Sequence, residues 1–204
     1  MSGSEQGPTA DDLTTTVRVD RPDGTSTTTV RTADGRIEID RRGSDGEVVG
    51  RFEIELASTG VVVIEHPPGH SPAQRIEPAS VEVVRNLYGA TVETVDYPGL
   101  AVVENTLDND GSLRSVALRG EWGTQDVELV ADGSRVLSWD SLPHCGRARW
   151  DAGDRLEHFD VTFADATGYR WDLLDGEGRA QVVDWSGRTT TFAASPPIAE
   201  PVND

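Results

Sequence analysis

The chain has no lysine. All 18 of its basic residues are arginine, set against 36 acidic ones. Without a lysine ε-amine, Schiff-base chemistry and a phosphate-binding loop built on lysine are both excluded. Two readings account for the bias: arginine codons in a GC-rich genome, or adaptation to high salt, which also favours a dense acidic surface. A single cysteine, Cys145, rules out an internal disulfide, as expected of a reducing cytoplasm. No apolar run approaches 18 residues, which excludes a helical membrane span. Neither a basic nor an apolar signal-peptide region opens the sequence, so the expected location is cytoplasmic.

A basic patch is missing too. The net charge is −18, and each third of the chain carries −6: residues 1–65 hold 13 acids and 7 arginines, residues 66–135 hold 11 and 5, and residues 136–204 hold 12 and 6. Such a surface repels phosphate backbones, so nucleic acid and anionic membrane are poor partners. The apolar content is 36%, which reaches the range of a folded domain once the 21 glycines are added. At 204 residues the chain is long enough to bury a sizeable core.

What is present is a rhythm. Asp-Gly occurs at positions 23, 34 and 45, eleven apart each time. Glycine takes positive φ without a Cβ clash and aspartate bonds its own backbone, so each pair marks a chain reversal. Between them the polarity alternates with period two: Ile37 and Ile39 against Glu38 and Asp40, then Phe52, Ile54 and Leu56 against Arg51, Glu53 and Glu55. Residues 13–65 therefore read as about five antiparallel strands. From residue 90 onward ten more follow, separated by Gly, Pro and Asp turns. The expected fold is all-β, an antiparallel hairpin-rich meander forming a barrel or a sandwich. It has at most one short helix, near residues 78–88. There Val81, Val84, Leu87 and Tyr88 recur at helical spacing between Pro78 and Gly89, a strand over "SVEVV" being the rival. One domain is expected over residues 13–193, with a sub-boundary at the Pro-rich break of 66–78 and flexible tails at 1–12 and 194–204.

Few residues announce chemistry. His66 and His70 stand four apart in "HPPGH", but the intervening prolines forbid the helix that would align them; His144 and Cys145 are adjacent and could join them to complete a zinc site. We expect no metal there and no cofactor. "LDNDGSL", residues 107–113, has the opening of a calcium loop, yet Arg119 stands where the closing glutamate belongs, so a hairpin turn is the better reading. No Gly-x-Ser-x-Gly, Gly-rich phosphate loop or Cys-x-x-Cys occurs. All five tryptophans lie in the second half, with Phe159, Phe163, Tyr169 and Phe192. They make either an aromatic core or the wall of a ligand cavity. In the second case Trp139, Trp150, Tyr169, Trp171 and Trp185 line the site, and Arg149 or Arg170 orients a polar group.

One segment carries a family likeness. In "YRWDLLDGEGRAQVVDWSGRTTTF", residues 169–192, an aromatic-Asp pair (Trp171, Asp172), Gly178-Arg179, Gly187-Arg188 and a threonine run ending in Phe192 resemble the YD repeat of Rhs-type proteins. "TADGRIEIDRRGSDG" echoes it. The resemblance implies a curling β-sheet with a structural role. Two functional expectations follow. The first is a non-catalytic β-rich protein that binds other proteins or assembles with itself. The second is a β-barrel that binds an apolar small molecule, or cyclises or isomerises it without a cofactor, as barrel enzymes of bacterial secondary metabolism do.

Overall fold

One turn geometry closes hairpin after hairpin along the chain, and most of the Asp-Gly pairs lie in it. A computed structural model describes residues 14–32, 35–57, 60–69, 71–85, 89–141, 144–153, 155–174 and 176–195. In the turn over residues 21–25, Arg21 N donates to Thr25 O at 2.9 Å and Gly24 N to Arg21 O at 3.0 Å. The same pair of bonds recurs at 32–36, 43–47, 108–112, 130–134, 163–167 and 184–188. This is a type I turn whose fourth residue lies in the left-handed region, where glycine is favoured. Aspartate inside the loop accepts from the residue two further on, as Asp110 Oδ1 does from Ser112 N at 2.9 Å and Ser112 Oγ at 2.6 Å. "LDNDGSL" is thus a hairpin, as its sequence indicates.

Five strands follow the turns of the first sheet as expected: β1 (Thr15–Asp20), β2 (Ser26–Arg31), β3 (Ile37–Arg42), β4 (Val48–Ala57) and β5 (Gly60–His66). A two-residue β6 (Gln74–Arg75) ends it. The second sheet comprises β7 (Ser80–Arg85), β8 (Thr91–Tyr97), β9 (Ala101–Leu107), β10 (Leu113–Gly120), β11 (Gly123–Leu129), β12 (Arg135–Ser141), β13 (His144–Trp150), β14 (Leu156–Phe163), β15 (Gly168–Leu174), β16 (Glu177–Val183) and β17 (Thr189–Ala193). Within each sheet every strand pairs antiparallel with its sequence neighbours, and the break between β6 and β7 gives sheets of six and eleven strands.

Two expectations change. Residues 80–85 are strand, not helix: Val81, Val83 and Val84 are β-branched and suit a pleat, and β8 supplies a partner in register from Ser80↔Asp96 to Arg85↔Thr91. Leu87 and Tyr88 of the expected helix lie outside the described residues. Neither sheet closes into a barrel either, because among the described residues β1, β6, β7 and β17 each have one neighbour only. Closure needs the end strands to meet; here the small sheet covers part of the large one instead.

The contact between sheets is a sandwich core. Ile37, Ile39, Phe52, Ile54 and Val63 of the small sheet pack on Val95, Tyr97, Val103, Val116 and Leu118 of β8 to β10, with Trp122. Polar groups stitch its rim. Gln125 Nε2 donates to Gly35 O at 2.7 Å, and Arg21 pairs with Glu121 at 2.8 Å. Arg31, buried on β2, lays its guanidinium 4.1 Å over the Trp139 ring.

Beyond β11 the inner face of the large sheet becomes aromatic. Directly opposed residues form one transverse row: Val83, Glu93, Asn105, Val116, Val127, Leu137, Ala148, Phe159, Trp171, Ala180 and Phe192. Alternate members at 127, 148, 171 and 192 are 21, 23 and 21 residues apart, so the eleven-residue rhythm of the first sheet runs through the second as a two-strand unit. Ala148 and Ala180 interrupt the large side chains of the row and leave room for their neighbours.

Candidate functional site

Strand parity sorts the sequence-selected residues between two faces and a tip. Trp139, Trp150, Tyr169 and Trp171 belong to one buried cluster on the inner face. Its contacts are those of a packed core. Trp139 lies 5.7 Å from Phe159 and directly opposite Gly146, which leaves room for the indole; a Cβ on Gly146 would collide with it. Trp171, 1% exposed, rests against Gly178 and donates its Nε1–H to Ala194 O at 2.9 Å. Aromatic area of this kind carries a large share of core stability.

Arg170 and Arg149 point the other way. Arg170 Nε holds Asp172 Oδ2 at 2.7 Å on the outer face, and Arg149 Nε faces Glu157 at 3.3 Å. The alternation of the strand separates Arg170 from its neighbours Tyr169 and Trp171, so the three do not converge on one ligand. The metal set is dispersed as well. His66 ends β5 and bonds Glu53 at 3.1 Å; His144 is buried, its Nδ1 accepting from Trp139 Nε1 at 3.1 Å; Cys145 is exposed on the opposite face of β13. His70 lies outside the described residues. Among the described residues no three His, Cys, Asp or Glu side chains are grouped to hold a metal ion.

The outer face carries a charged arrangement that the sequence reading passed over. His158 Nδ1 meets Asp172 Oδ1 and its Nε2 meets Asp160 Oδ1, both at 2.7 Å. The hydrogen bond to Asp160 holds the imidazole pKa above its ordinary value; burial opposes it and Asp172 adds to the rise. Burial pushes Asp172 up, but Arg170 and His158 outweigh it and its carboxyl titrates below the usual carboxylate range. The signal was present as His158 and Asp160 two apart on one face of a strand. Nearby, a shallow hollow of about 440 Å³ crosses β10 to β13, where Ala117 and Ser138 are small and Asp126, Glu128, Arg114 and Arg147 stand around them.

The last of the selected aromatics, Trp185, is alone at the tip of the β16–β17 hairpin and 83% exposed. Its position in the turn is informative. Among the described residues, the first loop residue of the other hairpins with this hydrogen-bonding scheme is Pro22, Ser44, Asn109, Ala131 and Ala164, all small or polar, and only here an indole. The backbone needs no tryptophan at that point.

No protein-family model matches the chain, and no curated protein matches it. No helix among the described residues is long and apolar enough to cross a membrane.

Proposed function

We propose that this protein works by surface contact with other proteins, as a non-catalytic β-sheet binding or assembly module in the cytoplasm. Trp185 carries the reading. A large aromatic side chain held in water has no folding role, and tryptophan is the residue most enriched among the few that dominate protein interfaces. The stretch that resembles YD repeats spans β15 to β17 and includes this tip, and a structural role accords with that resemblance. A cofactor-independent cyclase or isomerase needs a cavity walled by Trp139, Trp150 and Trp171, which here belong to one buried cluster, with Trp139 against Gly146 and Trp171 against Gly178. The test is native mass spectrometry of the protein purified gently from its own host. The expected result is a defined multimer or a retained protein partner that is lost with Trp185→Ala while the unfolding midpoint is unchanged. A monomer carrying a small organic mass, or retention indifferent to Trp185→Ala, overturns the proposal.

A further inference from the structure

Among the described residues four strand edges are open, and an open edge offers its unpaired N–H and C=O groups to any extended chain. Natural sheets blunt such edges with shortness, charge or polar side chains. Three of the four are blunted in this way. β1 displays the Arg18–Asp20 ion pair, β6 is two residues long, and β17 is a run of threonines. β7 is not blunted. All six of its residues are exposed, and Val81, Val83 and Val84 stand 55%, 58% and 54% open to water.

The faces of β7 state what would fit. Val81 and Val83 share the inner face, and Val95 lies opposite Val81. Glu82 lies on the outer face with Asp96 on β8 and Glu104 on β9, opposite Ser80 and Thr94 respectively. An added strand therefore meets Val81 and Val83, with Glu93 behind Val83, on one face, and Glu82 and Val84, with Asp96 and Glu104 behind them, on the other. A second copy of this chain is a poor occupant. A two-fold axis normal to the sheet keeps the faces aligned and brings the copy's Glu82 onto the same acidic face, in a molecule that already carries −18.

We propose that β7 is a strand-addition site that takes up an extended segment of a partner protein, with apolar side chains on the Val81–Val83 face and Lys or Arg on the Glu82–Asp96 face. This rests on the protein-binding reading above and names where one partner docks. Main-chain bonds to the edge supply affinity in such complexes and alternate side chains supply selectivity.

The probes are two eight-residue peptides, one alternating valine with lysine and one alternating valine with glutamate, added to the full chain while amide exchange is followed. The expected result is that the lysine peptide slows exchange over Ser80–Arg85 at least tenfold and the glutamate peptide does not. Glu82→Lys, an exposed change, is expected to weaken the lysine peptide and strengthen the glutamate one, and Val83→Lys to weaken the lysine peptide about tenfold. Protection by neither peptide, equal protection by both, or indifference to Glu82→Lys overturns the proposal. Protection that rises with the protein's own concentration, without peptide, overturns it in favour of self-pairing. If the peptides fail while a Trp185-dependent partner persists in native mass spectra, the β7 site falls and the protein-binding reading stands. If the partner is missing as well, both fall.

Discussion

Ala166 has φ of 64°, the one non-glycine residue in the left-handed region among those described. It occupies the fourth position of the 163–167 turn, where its counterparts include Gly24, Gly46, Gly111, Gly133 and Gly187. The left-handed conformation costs an L-residue about 1–2 kcal/mol, and glycine gives back about 0.5–1 kcal/mol through the entropy of its unfolded chain. Ala166→Gly is therefore expected to raise the unfolding free energy by about 0.5–1 kcal/mol in a urea titration; a loss would mean that the methyl group packs usefully. His158 makes a second prediction with a sign. Its folded pKa lies above the unfolded one, so the stabilisation from Asp160 and Asp172 is complete below the unfolded value and is lost as pH rises through the folded value. Asp172 is shifted downward, so its contribution is present above the unfolded carboxylate pKa and is lost as pH falls through its folded value. The difference in unfolding midpoint between the native chain and His158→Gln is expected to shrink as pH is raised from about 6 into the alkaline range; a difference that holds constant would show that the imidazole acts by packing alone.

At the scale of strands, the row through Leu137, Ala148, Phe159, Trp171, Ala180 and Phe192 ties β12 to β17, and Trp171 is its bulkiest member. Trp171→Ala is expected to cost about 3–5 kcal/mol by calorimetry or denaturant titration, while Trp185→Ala stays within about 0.5 kcal/mol of the native chain. Equal costs at the two positions would contradict the separation of core from tip. Much of this architecture was legible in sequence because its cause is local. Asp-Gly sets a turn, alternation sets a strand, and five strands before residue 66 with ten after residue 90 are found where those signals stand. β7 was not legible, since Val81 and Val84 satisfy a helical spacing as well as a pleat, and the choice was made by the partner strand β8. Sheet closure was hidden for a similar reason: in the large sheet it depends on whether β7 and β17, more than a hundred residues apart, meet. The tryptophans look like one group in the sequence, yet the structure divides them into Trp122 between the sheets, Trp139, Trp150 and Trp171 on the aromatic face, and Trp185 outside. Two signals for that division went unused: parity within "YRW" puts Arg170 opposite to Trp171, and "DWSGR" repeats the five-residue turn frame.

For the whole molecule, charge sets the response to salt. Even with each of the 18 arginines matched to one acid, 18 of the 36 carboxylates have no cationic partner, and they are spread evenly along the chain. The pairs that form are largely on the surface: Arg18–Asp20, Arg51–Asp40 and Arg155–Asp151 each leave an arginine side chain more than half exposed. Such pairs contribute about 0–1 kcal/mol apiece and are screened by salt. The repulsion among surplus carboxylates is screened by the same salt, as the Debye length falls from about 30 Å at 0.01 M to about 3 Å at 1 M. Repulsion acts among many groups over long distances, whereas each ion pair acts at contact, so screening removes more of the former. The melting temperature is therefore expected to rise between 10 mM and 1 M sodium chloride, by several degrees if the relief reaches about 2 kcal/mol in a chain of this size. A curve that levels off near 0.5 M would mean screening alone, and the arginine bias then reflects codon usage. A rise that continues to molar salt would mean ions taken up by the acidic surface, as adaptation to high salt requires. A fall would show that the ion pairs outweigh the repulsion.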